Sequence, residues 1–221
     1  MKKRVKDNLL KVHGEAILYV TPEILVVSIP IRTIDSIYEN CSQSLVNKYN
    51  QLKEALIKNG IEDKLIKSDR LDINENYLWT EKERKFDGYV GSINVEIEID
   101  YSPDKLNSII ETLKDDSFKF GYNLSFKLSE SQKSVQLQNV IDLAIKDAQN
   151  KGEIIAKSLK IQLAEIQEIN FGYTNSINDL LTFENKSVSF LADNDSGIEL
   201  NLNPKMISIQ KRIEIIWKIE Q

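Results

Sequence analysis

Along this chain the spacing of apolar residues switches several times between two and 3.6, the repeats of a half-buried strand and of an amphipathic helix. "EILVVSIPIRT" sets Leu25, Val27, Ile29 and Ile31 on one strand face. Pro30 cannot donate a ladder hydrogen bond, so an edge or a bulge is expected there. "SIYENCSQSLVNKYNQLKEALIKNG" then aligns Tyr38, Cys41, Leu45, Tyr49, Leu52 and Leu56 on one helical stripe, with Gly60 as the stop. "KLIKSDRLDINENYLW" reads as one extended strand with Leu71, Ile73, Tyr77 and Trp79 on a shared face. "GYVGSINVEIEIDY" alternates cleanly, with Tyr89, Ile93, Val95, Ile97 and Ile99 inward. A short helix follows, capped by Ser102 with Pro103 in its first turn and Leu106, Ile109, Ile110 and Leu113 as its apolar face.

In the second half, "FKFGYNLSFKL" alternates from Phe118 to Leu128, and a long helix runs from about Ser131 to Leu159. "IQLAEIQEINFGY" is a strand whose alternation slips between Leu163 and Ile169, the mark of a bulge. Ile207, Ile209, Ile213, Ile215, Trp217 and Ile219 form the last strand. Residues 175–204, rich in Asn, Asp and Ser, read as a surface excursion able to contact a protein partner. The expected fold is α+β, with twisted, mainly antiparallel sheets covered by two long helices and one short one. A single domain over 1–221 is expected, and the strand–helix–strand rhythm in both halves is compatible with lobes at 1–102 and 103–221.

The long helix has one unusual face. In "AIKDAQNKGEIIA", Ala144, Ala148, Gly152 and Ala156 recur every four residues and form a stripe almost without side chains. Charged Lys146, Asp147, Lys151 and Glu153 around it rule out a membrane-helix dimer motif. Exposure to solvent would not justify Gly152, since Ala serves a helix better by about 1 kcal/mol. The stripe therefore marks close packing against a sheet or another helix, flanked by Leu137, Val140, Ile141, Ile155 and Leu159.

Composition excludes several functions. With 221 residues, 41% hydrophobic and 29% charged, the chain has an ordinary globular make-up, and its net charge of -5 argues against a general nucleic-acid binder. The basic opening, Lys2, Lys3, Arg4 and Lys6, is not followed by the apolar stretch of a signal peptide. As written the chain is expected to be cytoplasmic, or periplasmic if an export signal has been removed, and no apolar run approaches a membrane span. One cysteine, Cys41, and one histidine, His13, leave no disulfide and no histidine metal cluster. Cys41 lies on an apolar helix stripe and reads as a buried structural thiol. The row Glu96, Glu98 and Asp100 reads as the solvent face of a strand rather than a metal or acid/base site. Gly14, Gly88 and Gly91 belong to no phosphate-binding loop. Trp79 and Trp217 are expected to pack in cores. No metal and no cofactor is expected.

Taken in order, these elements resemble the SIMPL domain family, a family of unknown function. The residues that carry the likeness are "VHGEA" with Gly14, "TPEI", Asn47, and "NGI" with Gly60. Tyr77 and Trp79, then "GYVGSINVEI" with Gly88 and Tyr89, and the Ala-rich helix complete the set. The chain departs from the family in having Gly152 where Ala is usual, and in lacking a Gly close to Lys160. The resemblance implies an α+β protein of a family with no agreed enzymatic activity, expected here to be a non-enzymatic homo-oligomer; its bacterial relatives are associated with envelope or oxidative-stress defence and tend to oligomerise. It implies no catalytic residues. The function expected is therefore assembly or interaction. The alternative is a small-molecule or peptide binder with a cleft lined by Tyr77, Trp79 and Tyr89.

Overall fold

The computed structural model describes residues 8–79, 83–114, 118, 120–171, 188–190 and 202–220. In chain order its elements are β1 (Leu9–Val20), β2 (Ile24–Asp35), α1 (Tyr38–Lys58), β3 (Ile66–Ser68), β4 (Asp72–Trp79), β5 (Arg84–Asp100), α2 (Pro103–Leu113), β6 (Tyr122–Lys127), α3 (Glu130–Leu159), β7 (Gln162–Asn170), β8 (Val188–Phe190) and β9 (Ile207–Glu220). Among the described residues every strand pair is antiparallel, which with two long helices and one short one gives the expected α+β class. The chain divides into two compact units, one from Met1–Pro22, Leu128–Glu184 and Lys205–Gln221, the other from Glu23–Lys127 and Asn185–Pro204. Residue 102 falls inside the second unit, because the partner of β1 is β9, nearly two hundred residues away. The basic residues 2–6 and most of the 175–204 excursion lie outside the described residues.

The first unit is a three-stranded sheet, β1-β9-β7, carrying α3 on one face. Ser129 starts α3 with a capping box: its hydroxyl accepts the Gln132 N–H, and the Gln132 side chain accepts the Ser129 N–H. Ala144, Ala148, Gly152 and Ala156 are all buried, so the small stripe is the packing face. It meets Val12, Ile213, Ile215 and Trp217 of the sheet. Leu159, expected beside the stripe, is instead 64% exposed in the last turn. Lys160 then ends the helix at φ 55, a left-handed position that favours glycine. The expected irregularity of β7 is present as register shifts between Leu163 and Ile166 and between Ile166 and Glu168.

Gly152, on the packing face of α3, has room for a methyl group. A Cβ built at Gly152 would sit 3.5 Å from Leu163 and Trp217 side-chain carbons, ordinary contact distance. Gly152→Ala should therefore be neutral or stabilise by up to about 1 kcal/mol, the gain in helix propensity. Gly152→Leu should cost about 1–3 kcal/mol through overpacking against Trp217. Denaturant unfolding measures both, and equal tolerance of Ala and Leu would show that this face does not meet a packed partner.

One member of this core was not anticipated. Lys211 occupies the inward alternation of β9 between Ile209 and Ile213, and is only 6% exposed. Its ammonium donates to the Phe171 carbonyl at 3.0 Å and lies 4.5 Å from that ring's centre. Burial pushes its pKa below the usual lysine range. Between the lowered folded pKa and the ordinary unfolded one, the unfolded chain binds more protons, so Lys211 makes stability rise with pH across that window. Lys211→Met removes this dependence. The stability advantage of the Met variant over wild type should shrink as pH is raised from neutral toward 10, measured by unfolding across that range; a constant difference would contradict it.

The second unit is a six-stranded sheet ordered β3-β5-β2-β6-β8, with β4 also paired to β5. Leu25, Val27, Ile29 and Ile31 of β2 and Ile93, Val95, Ile97 and Ile99 of β5 form its inner face. Leu45, Leu52 and Leu56 of α1 and Leu106, Ile109 and Leu113 of α2 close the same core. Gly60, at φ +91, ends α1: Ile61 N–H bonds the Leu56 carbonyl and Gly60 N–H that of Ile57. Pro30 sits in an unbroken register with Asn94 of β5, while β6 pairs β2 only as far as Ser28. Pro30 thus lies where β2 has become an edge on that side, without a bulge. Ser102 holds the N-cap position of α2 but its hydroxyl makes no capping bond. The extended 64–79 stretch is two strands, β3 and β4, interrupted at Asp69–Leu71. β6 begins only at Tyr122, leaving Phe118 and Phe120 outside it. Part of the excursion belongs to this sheet, since β8 pairs β6 and Leu202 N–H bonds the Tyr101 hydroxyl at 2.6 Å.

Candidate functional site: an aromatic arm

β5 is longer than the sheet that holds it. β2 ends at Asp35, opposite Tyr89, so the first five residues of β5 extend past it and pair only with β4. Together β4 and the start of β5 form a two-stranded arm. Alternation puts Glu75, Tyr77 and Trp79 on one face of β4, with Tyr77 opposite Phe86 and Trp79 opposite Arg84. A register shift follows between Glu75 and Tyr77, and Gly88 lies on the β5 side of it at φ +84. The extra residue brings Phe86 and Tyr89, three apart, onto the same face, with ring centres 5.4 Å apart.

The result is a ladder of edge-to-face rings. Tyr77 meets Phe86 at 5.7 Å, Phe86 meets Tyr89, and Tyr89 meets Tyr38, the first residue of α1, at 5.5 Å. Each such pair contributes roughly 0.5–1.5 kcal/mol beyond the area it buries. Arg84 stacks over this ladder, its guanidinium carbon 3.7 Å from the Tyr77 ring centre and 5.7 Å from that of Trp79. The Tyr77 hydroxyl donates to Glu75 at 2.5 Å, and that bond raises the phenol's pKa.

This face is the continuation of the inner face of the sheet. Behind Tyr89 the row runs on to Gly91, where a Cβ would meet Leu45 and Cys41 of α1. In front of Tyr38 the helix has not begun, and the rings lose their cover within this unit. Trp79 is 80% exposed, and Phe86 and Tyr38 are about half exposed. The core position expected for Trp79 is therefore not observed, whereas Trp217 is buried as expected. Tyr77, Trp79 and Tyr89, expected to line a cleft, share one open arm. Arg84, Phe86 and Tyr38 are the members that sequence reading missed. Arg84 and Phe86 alternate with Lys85 and Asp87, but strict alternation from Tyr89 would place both on the opposite face; the extra residue beside Gly88 brings them onto the ladder face.

The other candidates resolve into structure. Cys41 is buried, with its thiol among the Thr33 and Tyr89 carbonyls. His13 and Lys11 both face Glu214, whose pKa is lowered by the Asn170 side chain and then by Lys11. Glu98 is bridged by Lys127 at 2.6 Å and Lys67 at 3.1 Å, with its pKa lowered, Lys127 being the larger cause. Arg32 and Arg70 border an open depression of about 260 Å³ with Asp69, Ser92 and Asn94, but Arg70 is already paired with Asp72 at 2.6 Å. Among the described residues no group of three or more His, Cys, Asp and Glu could hold a metal ion. None of their helices is long and apolar enough to cross a membrane. The residues carrying the family likeness fall into two sets: Gly14 with Ala144, Ala148, Gly152 and Ala156 in the first unit, and Gly60, Tyr77, Trp79, Gly88 and Tyr89 in the second.

No curated protein matches this chain. Two crystal structures, of an uncharacterized conserved protein and of a hydrolase, both from Listeria innocua, are each 10% identical to it. Each match covers 94% of this chain and 92% of that chain at a TM-score of 0.19, too low to bear on fold or function. The ordered set of sequence features has firmer support. The SIMPL family model, described as a protein of unknown function (DUF541), matches residues 10–216, and the chain belongs to that family.

Proposed function

We propose that this chain is a non-enzymatic interaction domain that works by self-association, in the stress- or envelope-related setting that the family resemblance implies. The observation that carries the reading is the aromatic arm. Rings continuous with a core face, then left open past the start of α1, form the kind of contiguous apolar surface that marks a protein–protein contact. Among the described residues, three candidates for chemistry have structural partners: Cys41 in the core, Glu98 with two lysines, His13 with Glu214. Light scattering at micromolar concentration tests the proposal. An oligomer is expected; a monomeric mass throughout would overturn it.

A further inference from the structure

We infer that the partner of the arm is the same arm of a second copy, docked face to face about a two-fold axis, an inference that rests on the self-association proposed above. The charges on the ladder face carry it. Among the described residues, the ladder face of the arm carries one acid, Glu75, near its base and one base, Arg84, near its end, both on the side of Tyr77 and Trp79. Glu75 and the Trp79–Arg84 pair stand four strand residues apart, about 13 Å. Arg84 lies flat on Tyr77, and its guanidinium has no carboxylate partner among the described residues.

Two arms laid parallel would set arginine on arginine. Turned antiparallel, each Arg84 comes over a Glu75, and Trp79 of each copy covers the other's exposed rings. Such a contact is self-complementary in both charge and apolarity, the requirement of a two-fold interface. A surface meant for a strongly acidic or basic partner would carry one sign only.

Sedimentation of the full chain and two charge reversals tests this. Arg84→Glu and Glu75→Arg should each weaken self-association by roughly tenfold or more, because every two-fold contact then faces like charges. An equimolar mixture of the two variants should associate again, since each then offers the sign the other needs. Trp79→Ser, at a position too exposed to threaten folding, should weaken association as well. If wild type associates and the variants associate equally well, the arm contact is wrong and self-association stands. If both variants dissociate but the mixture does not recover, the two-fold arrangement is wrong. A wild-type monomer would remove self-association itself, and a monomer whose melting temperature falls on Trp79→Ser would assign the rings to cover by this chain's own residues.

Discussion

Gly14→Ala is expected to destabilise the first unit by about 3 kcal/mol or more, at the upper end of overpacking effects. A Cβ at Gly14 would stand 1.9 Å from the Ala144 carbonyl oxygen, 2.6 Å from the Ala148 nitrogen and 2.8 Å from its Cβ. Two of these are backbone atoms of α3, so no rotamer change can make room. The helix is also held to β1 on both sides of the glycine. Glu15 N–H donates to Asp147 at 2.8 Å, and Lys151 donates to the His13 carbonyl at 3.3 Å. Moving α3 away would break these bonds and open the contacts of Ala144 and Ala148 with Val12 and Ile213. Chemical denaturation against wild type measures the loss. A change below about 0.5 kcal/mol, the usual range of an inconsequential surface substitution, would show that α3 does not press on β1 there.

Gly88→Ala should cost about 2–3 kcal/mol and disturb the aromatic arm with it. Two causes add. The backbone at Gly88 has φ +84, which an L side chain adopts at a cost, and a Cβ would come within 2.4 Å of the Asp35 carbonyl oxygen. Relief requires the shifted register beside Gly88 to change, and that register is what places Phe86 and Tyr89 on one face. Near-ultraviolet circular dichroism should change together with the stability. A stability loss with an unchanged aromatic spectrum would mean that the ladder does not depend on this glycine.

Gly14 and Gly88 also show how far residue patterns reach. Neither belongs to a recognisable loop motif, and both stand in strands where glycine is normally a weakness. Their reasons lie in atoms distant along the chain: α3 for Gly14, more than a hundred residues away, and the turn after β2 for Gly88, about fifty away. Trp79 failed for a related cause. Alternation assigns Trp79 to its face of β4 correctly, but whether that face is covered depends on where the covering helix starts. α1 starts at Tyr38 and its first residue reaches only Tyr89. Lys211 is legible in principle, as a lysine at the inward position of an otherwise apolar row, but charged residues are so rarely buried that the pattern alone does not place it in the core.

Local periodicity was sufficient for the α+β class, all three helices, the stripe as the buried face of α3, the slip in β7 and the stop at Gly60. Each is a property of residues within one or two turns or strand repeats of each other, where backbone geometry converts spacing directly into facing. Long-range pairing supplied the rest: β1 beside β9, two units that no single cut separates, and an arm that outruns its sheet. Those depend on which apolar faces find one another across the chain, and many pairings satisfy the same local pattern until packing selects one.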